Sequence, residues 1–145
     1  MNPMAYVIES MTPLAKHDNF LIDLKIKNHM AMTNLTQGKA TREDMDTLIP
    51  MANFVEALYR MGFGTDYATE VRTGLDALHA VGKRGVESNR FILRSEEMRA
   101  LNTLMELHDA QMDVITVKDM ERAFKIVDEE YKQRKMRPIV EKSHG

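Results

Sequence analysis

Cysteine is absent from this 145-residue chain, and so is tryptophan. Without thiols there can be no disulfide, thiolate zinc site or cysteine nucleophile, which suits a reducing compartment. No stretch approaches the roughly 18 consecutive apolar residues of a membrane span. Met1 to Thr12 lacks the basic start and long apolar run of a secretory signal. The expectation is a soluble, cytoplasmic protein with no membrane partner. Charge of one sign is missing too: 20 Lys and Arg face 22 Asp and Glu, a formal charge of −2. No global field therefore gathers nucleic acid, and any polyanion would need a local patch. Proline is scarce, its four copies standing at Pro3, Pro13, Pro50 and Pro138.

What the chain has in quantity is helical periodicity and methionine, 13 copies of it. Methionine fills irregular gaps in cores and suits adaptable binding surfaces. Apolar residues three and four apart line one side of a helix and must be buried against something. Val117, Met120, Phe124, Val127 and Tyr131 form the cleanest such stripe. Met98, Leu101, Met105, His108, Met112 and Ile115 form another, with a histidine at one core position. The expected fold is all-α: a compact single-domain bundle of about five helices with an extended N-terminal arm.

The arm covers residues 1–17, where two prolines flank the apolar knot Tyr6-Val7-Ile8. The helical domain covers 18–137, and 138–145 is a flexible tail after Pro138. Residues 18–35 carry both a strand-like alternation and helical stripes. No turn residue interrupts them before Gly38, too long a run for an ordinary strand, so helix is expected. Thr41-Arg42-Glu43-Asp44 reads as an N-cap with acids in the first turn. The helix that follows, to Met61, is apolar on most of its circumference, with Asp46, Asn53, Glu56 and Arg60 as a narrow polar stripe. Such a helix is either central or shared with a partner. Pro50 lies on that stripe and should kink the helix rather than break it. Gly62-Phe63 should end it with a left-handed glycine and an apolar contact. A helix from about Thr65 to Val81 should close at Gly82 and Gly85, followed by an irregular connection from Lys83 to Arg94. Ser95-Glu96-Glu97 opens the next helix. Thr116-Val117-Lys118-Asp119 caps the last or marks a kink in a continuous one.

No catalytic residue, metal site or cofactor motif stands out. His108 is the natural suspect for base or metal chemistry, with Glu106, Asp109 and Asp113 on the flank of its helix. The spacing is poor, because residues one and two apart point to different faces. Asp76 and His79 lie three apart, yet the matching carboxylates of a helical di-metal site are missing. His108 is read as a structural polar core residue, hydrogen-bonded within the fold. The like-charged stripe Glu106, Asp109 and Asp113 reads first as an ordinary solvated face; if cations sit opposite, Lys83, Arg84, Arg90 or a basic partner would supply them. Two basic clusters are candidate polyanion sites: Lys83, Arg84, Arg90, Arg94 and Arg99, and Lys132, Arg134, Lys135 and Arg137. Neither has interleaved aromatic residues for base stacking, and Gly82-Lys83-Arg84-Gly85 is not a phosphate loop. The apolar surplus marks Ile22, Ile26, Met30, Met51, Phe54, Leu58 and Met61 as a candidate protein interface.

Leu24-Lys25-Ile26-Lys27-Asn28-His29, Leu58-Tyr59-Arg60-Met61-Gly62-Phe63-Gly64 and Leu104-Met105-Glu106-Leu107-His108-Asp109-Ala110-Gln111-Met112-Asp113 resemble stretches of small helical proteins of proteobacterial genomes and their phages or prophages. That resemblance carries no activity and no catalytic residue. It implies a small accessory protein that binds a host or phage macromolecule. The expected function is thus a non-enzymatic interaction protein that self-associates, without cofactor. A nucleic-acid-associated regulator using residues 83–99 and 132–137 is the alternative, and a His- or metal-dependent enzyme comes last.

Overall fold

In a computed structural model the described residues are 18–133, side chains from Asp23 onward. They form five α-helices: α1 (Asp18–Thr36), α2 (Arg42–Arg60), α3 (Ala68–Ser88), α4 (Ser95–Val114) and α5 (Val117–Gln133), with a 3-10 turn at Thr65–Tyr67. The expected arm 1–17, the tail 138–145 and the basic residues Arg134, Lys135 and Arg137 lie outside the described residues. So does the side chain of Ile22.

The helix ends follow local chemistry. Thr41 and Asp44 form a reciprocal capping box at the start of α2, the Asp44 carboxylate accepting from the Thr41 N–H at 2.9 Å. Thr116 and Asp119 repeat the device before α5. Ile115 is extended (ψ 156°), so α4 and α5 are two helices and not one kinked helix. Gly62 (φ 107°) ends α2 in a Schellman motif. The Phe63 N–H donates to the Leu58 carbonyl at 2.9 Å, and that of Gly62 to the Tyr59 carbonyl at 3.0 Å. Pro50 does not interrupt α2, and both Pro50 and Asp46 are exposed.

α2 is the central helix, packed against α1, α3, α4 and α5. This corrects the reading of its apolar surplus. Met51, Phe54 and Leu58 are buried within the chain and cannot form an open interface; Met61 is half-buried. Four neighbours need four apolar faces, and α2 supplies them. Its polar stripe is also occupied: the Asn53 amide donates to the Tyr131 hydroxyl at 3.0 Å, and Arg60 pairs with Glu130 of α5 at 2.9 Å.

α3 differs from expectation at its end. It runs through Gly82 and Gly85 to Ser88 and is closed by Asn89 in the left-handed conformation (φ 61°). The glycines are there for packing. A Cβ on Gly85 would collide with the Phe91 ring, and one on Gly74 would stand 3.0 Å from the Leu104 Cβ. Only 89–94 of the expected irregular connection is free of helix.

Val117, Met120 and Val127 of the α5 stripe pack half-buried against the core, but Phe124 does not. Ala123 is fully buried where α5 meets α2, which leaves Phe124 48 % exposed with its ring 4.8 Å from that of Phe54. No helix among the described residues is long and apolar enough to cross a membrane.

Candidate functional site

The seam between α1 and α4 holds most of the polar chemistry, and it is built from two of the segments that carry the resemblance. His108 is 1 % exposed on the inner face of α4. Asn28, buried on the inner face of α1, donates from Nδ2 to His108 Nε2 at 3.2 Å. With the amide in this orientation Nε2 is the acceptor and the ring proton sits on Nδ1. Nδ1 has no hydrogen-bond partner among the described residues. The ring also lies edge-on to Phe54, centroids 6.3 Å apart.

Burial pushes the His108 pKa down from 6.5 to about 4, with the Asp109 carboxylate pulling the other way and His29 and Lys25 reinforcing burial. The imidazole is therefore neutral at pH 7. A buried base with such a depressed pKa is poorly placed to exchange protons with a substrate. As placed, the ring holds two helices together.

On the solvent side of this pair, His29 Nε2 lies 3.0 Å from Asp109 Oδ2, and Lys25 Nζ lies 3.5 Å from Asp113 Oδ1. The side chains opposite Asp109 and Asp113 thus come from α1, a lysine and a histidine. Lys83, Arg84 and Arg90, the suppliers expected from the sequence, do not fill that role. Arg84 is committed elsewhere: its guanidinium forms a two-pronged pair with Glu97, at 2.7 and 2.5 Å, and also donates to the Ile92 carbonyl at 2.9 Å. This takes Arg84 out of the proposed polyanion cluster. Lys83, Arg90, Arg94 and Arg99 are exposed, and Lys132 is exposed beside Asp128 at 3.0 Å.

Beside the Asn28–His108 pair lies a cleft with a volume of about 190 Å3 between α1, α2 and α5. His108, Asn28 and the contacting rings of Phe54 and Phe124 are among the residues that line it. Asn28 and Phe124 carry more here than the sequence suggests. Asn28 stands at helical spacing with Leu24, Ala31 and Leu35, a signal that could have marked it, whereas nothing in the pattern of α5 reveals that Phe124 is left exposed. Among the described residues no group of three or more histidine and acidic side chains is arranged to hold a metal ion.

Of the interface candidates, Ile26 and Met30 stand on the outer face of α1, 52 % and 61 % exposed. Scans against protein-family models, curated proteins and solved structures return no match.

Proposed function

We propose that this chain is a non-enzymatic accessory protein that acts by binding another protein, with the outer face of α1 as the contact surface and a second copy of the chain as its occupant. The observation that carries this reading is the pair Ile26 and Met30. They stand one turn apart and more than half exposed, on a helix whose opposite face completes the core through Ala31, Met32 and Leu35. A helix that faces only water on its outer side carries polar residues there. Ile22 continues the four-residue spacing in sequence, so the face is a short apolar ridge of the kind that two-fold pairing buries. The resemblance to small phage-associated proteins supports an accessory role.

Light scattering at tens of micromolar tests it. The expected mass is twice the 16.7 kDa of the chain, falling to the single-chain value in the double variant Ile26→Lys, Met30→Lys. A single-chain mass that does not rise on concentrating overturns the self-association. Salt-sensitive binding of duplex or single-stranded nucleic acid that survives this double variant would move the assignment to the exposed cations Lys83, Arg90, Arg94 and Arg99.

A further inference from the structure

We infer that Met30 is a reversible oxidation site: a peroxide converts its thioether to the sulfoxide and thereby releases a second copy of the chain from the outer face of α1. The inference rests on the self-association proposed above and adds the means of its control.

Sulfur chemistry narrows the choice. The chain has no cysteine, so no thiolate competes for an oxidant and methionine is its only sulfur. Access then separates the methionines. Met32, Met45, Met51, Met105 and Met112 are buried, and Met61, Met98 and Met120 are half-buried. Met30 is the one exposed methionine among the described residues, at 61 %. Met1, Met4, Met11 and Met136 lie outside them. The contrast is sharpest within α1: Met30 and Met32 stand two residues apart on opposite faces, one in water and one in the core.

Position gives the modification its consequence. Met30 and Ile26 together form the exposed apolar ridge of α1. The Met30 sulfur attacks one oxygen of hydrogen peroxide; an S–O bond forms and the O–O bond breaks. The departing hydroxide takes the proton of the transferred oxygen and leaves as water. The sulfur has lost two electrons and the peroxide has gained them. A flexible apolar side chain has become a polar one with a strong acceptor oxygen. Two thiols reverse the step, carrying the oxygen away as water and becoming a disulfide. In a two-fold contact the same patch meets itself, so an oxidised pair buries two sulfoxides in an apolar ridge. Burying a polar group without a hydrogen bond is costly, whereas the single chain leaves it in water. Oxidation therefore favours the single chain. Pairing in turn covers Met30, so the oxidant acts on the single chain and a higher protein concentration protects.

The test treats the full chain at tens of micromolar with hydrogen peroxide. Peptide masses locate each added oxygen, and light scattering follows the assembly. Met30 should gain its oxygen well before the buried Met45 and Met112. The mass should fall from the paired to the single-chain value, with the dissociation constant rising about tenfold or more. Methionine sulfoxide reductase with dithiothreitol should restore the pair. Met30→Leu, apolar but without a sulfur to oxidise, should stay paired through the same treatment. Met30→Gln, polar without any oxidant, should be single from the start. A pair that persists with Met30 fully oxidised overturns the inference and leaves the self-association standing. So does equal dissociation of the Met30→Leu chain, or oxidation of Met30 no faster than of Met45 and Met112. A chain that is single before peroxide is added overturns the self-association, and this control with it.

Discussion

Asn28 and His108, eighty residues apart, share a 3.2 Å hydrogen bond in the buried seam between α1 and α4. Each is the polar member of an otherwise apolar stripe, and each satisfies the other. Lys25–Asp113 and His29–Asp109 flank them toward solvent. Low α1 numbers meet high α4 numbers in these contacts, so the two helices run antiparallel. The exposed ion pairs add little stability; the buried pair sets how α1 seats on the bundle.

Asn28→Leu should therefore lower unfolding stability by about 1–3 kcal/mol, because it strips His108 of its only hydrogen-bond partner. Adding His108→Leu should recover much of that loss, since two apolar groups facing each other leave nothing unpaired. Urea denaturation of the two single variants and the double variant forms a cycle that measures the coupling. Additive losses would mean the bond contributes nothing.

The depressed pKa of His108 sets a pH dependence. The unfolded ring titrates near 6.5 and the folded one near 4, so the unfolded chain takes up a proton first as pH falls. Stability from this group is complete above 6.5 and is lost progressively between 6.5 and 4, by roughly 3 kcal/mol in all. Urea midpoints measured across that window should fall toward acid in the wild type and stay nearly flat in His108→Gln. The same slope in both would assign the effect to another group.

A second acid-sensitive point lies at the α3–α4 connection. Glu97 is held below the ordinary carboxylate pKa, first by its hydrogen bonds with Arg84 and then by the Arg94 N–H, with burial opposing. Its contribution is present above about pH 4.5 and is lost as pH drops further. Glu97→Gln should cost about 1–3 kcal/mol at pH 7, because it leaves the half-buried Arg84 guanidinium without its countercharge. Hydrogen exchange should show 84–98 opening first in the variant, with amides of α1 and α5 little changed.

Much of this architecture could be read from residues alone, where a signal is local. The capping residues Thr41, Asp44, Thr116 and Asp119, the Gly62-Phe63 stop and the inward face of α4 all sit where their spacing predicts. What depended on tertiary neighbours could not be read. Whether Met51, Phe54 and Leu58 face a partner or the same chain depends on how many helices surround α2, and its periodicity is the same in either case. Phe124 lies on the best stripe of the chain, yet the small Ala123 lets α5 approach α2 through a different line. The partners of Asp109 and Asp113 come from α1, because the bundle places α1 and not the 83–94 segment beside them. The Asn28–His108 bond was half legible: His108 stood out as a polar residue on an apolar stripe, its partner Asn28 did not.

Gly85 tests whether packing overrides propensity in α3. Glycine inside a helix costs about 1 kcal/mol relative to alanine, so Gly85→Ala on an exposed surface would stabilise. Here Gly85 is buried and a Cβ would fall within the Phe91 ring. Phe91 cannot easily yield, since it is itself buried in the main core beside Ala40 and Val86. Overpacking of this kind costs about 1–3 kcal/mol, more than the helix gains. Gly85→Ala should therefore lower the urea midpoint. Gly85→Ala combined with Phe91→Leu should be more stable than Phe91→Leu alone, because the smaller side chain makes room for the methyl group. If Gly85→Ala proves stabilising by itself, Phe91 does not dock on α3 as described, and the closure of α3 at Asn89 loses its reason.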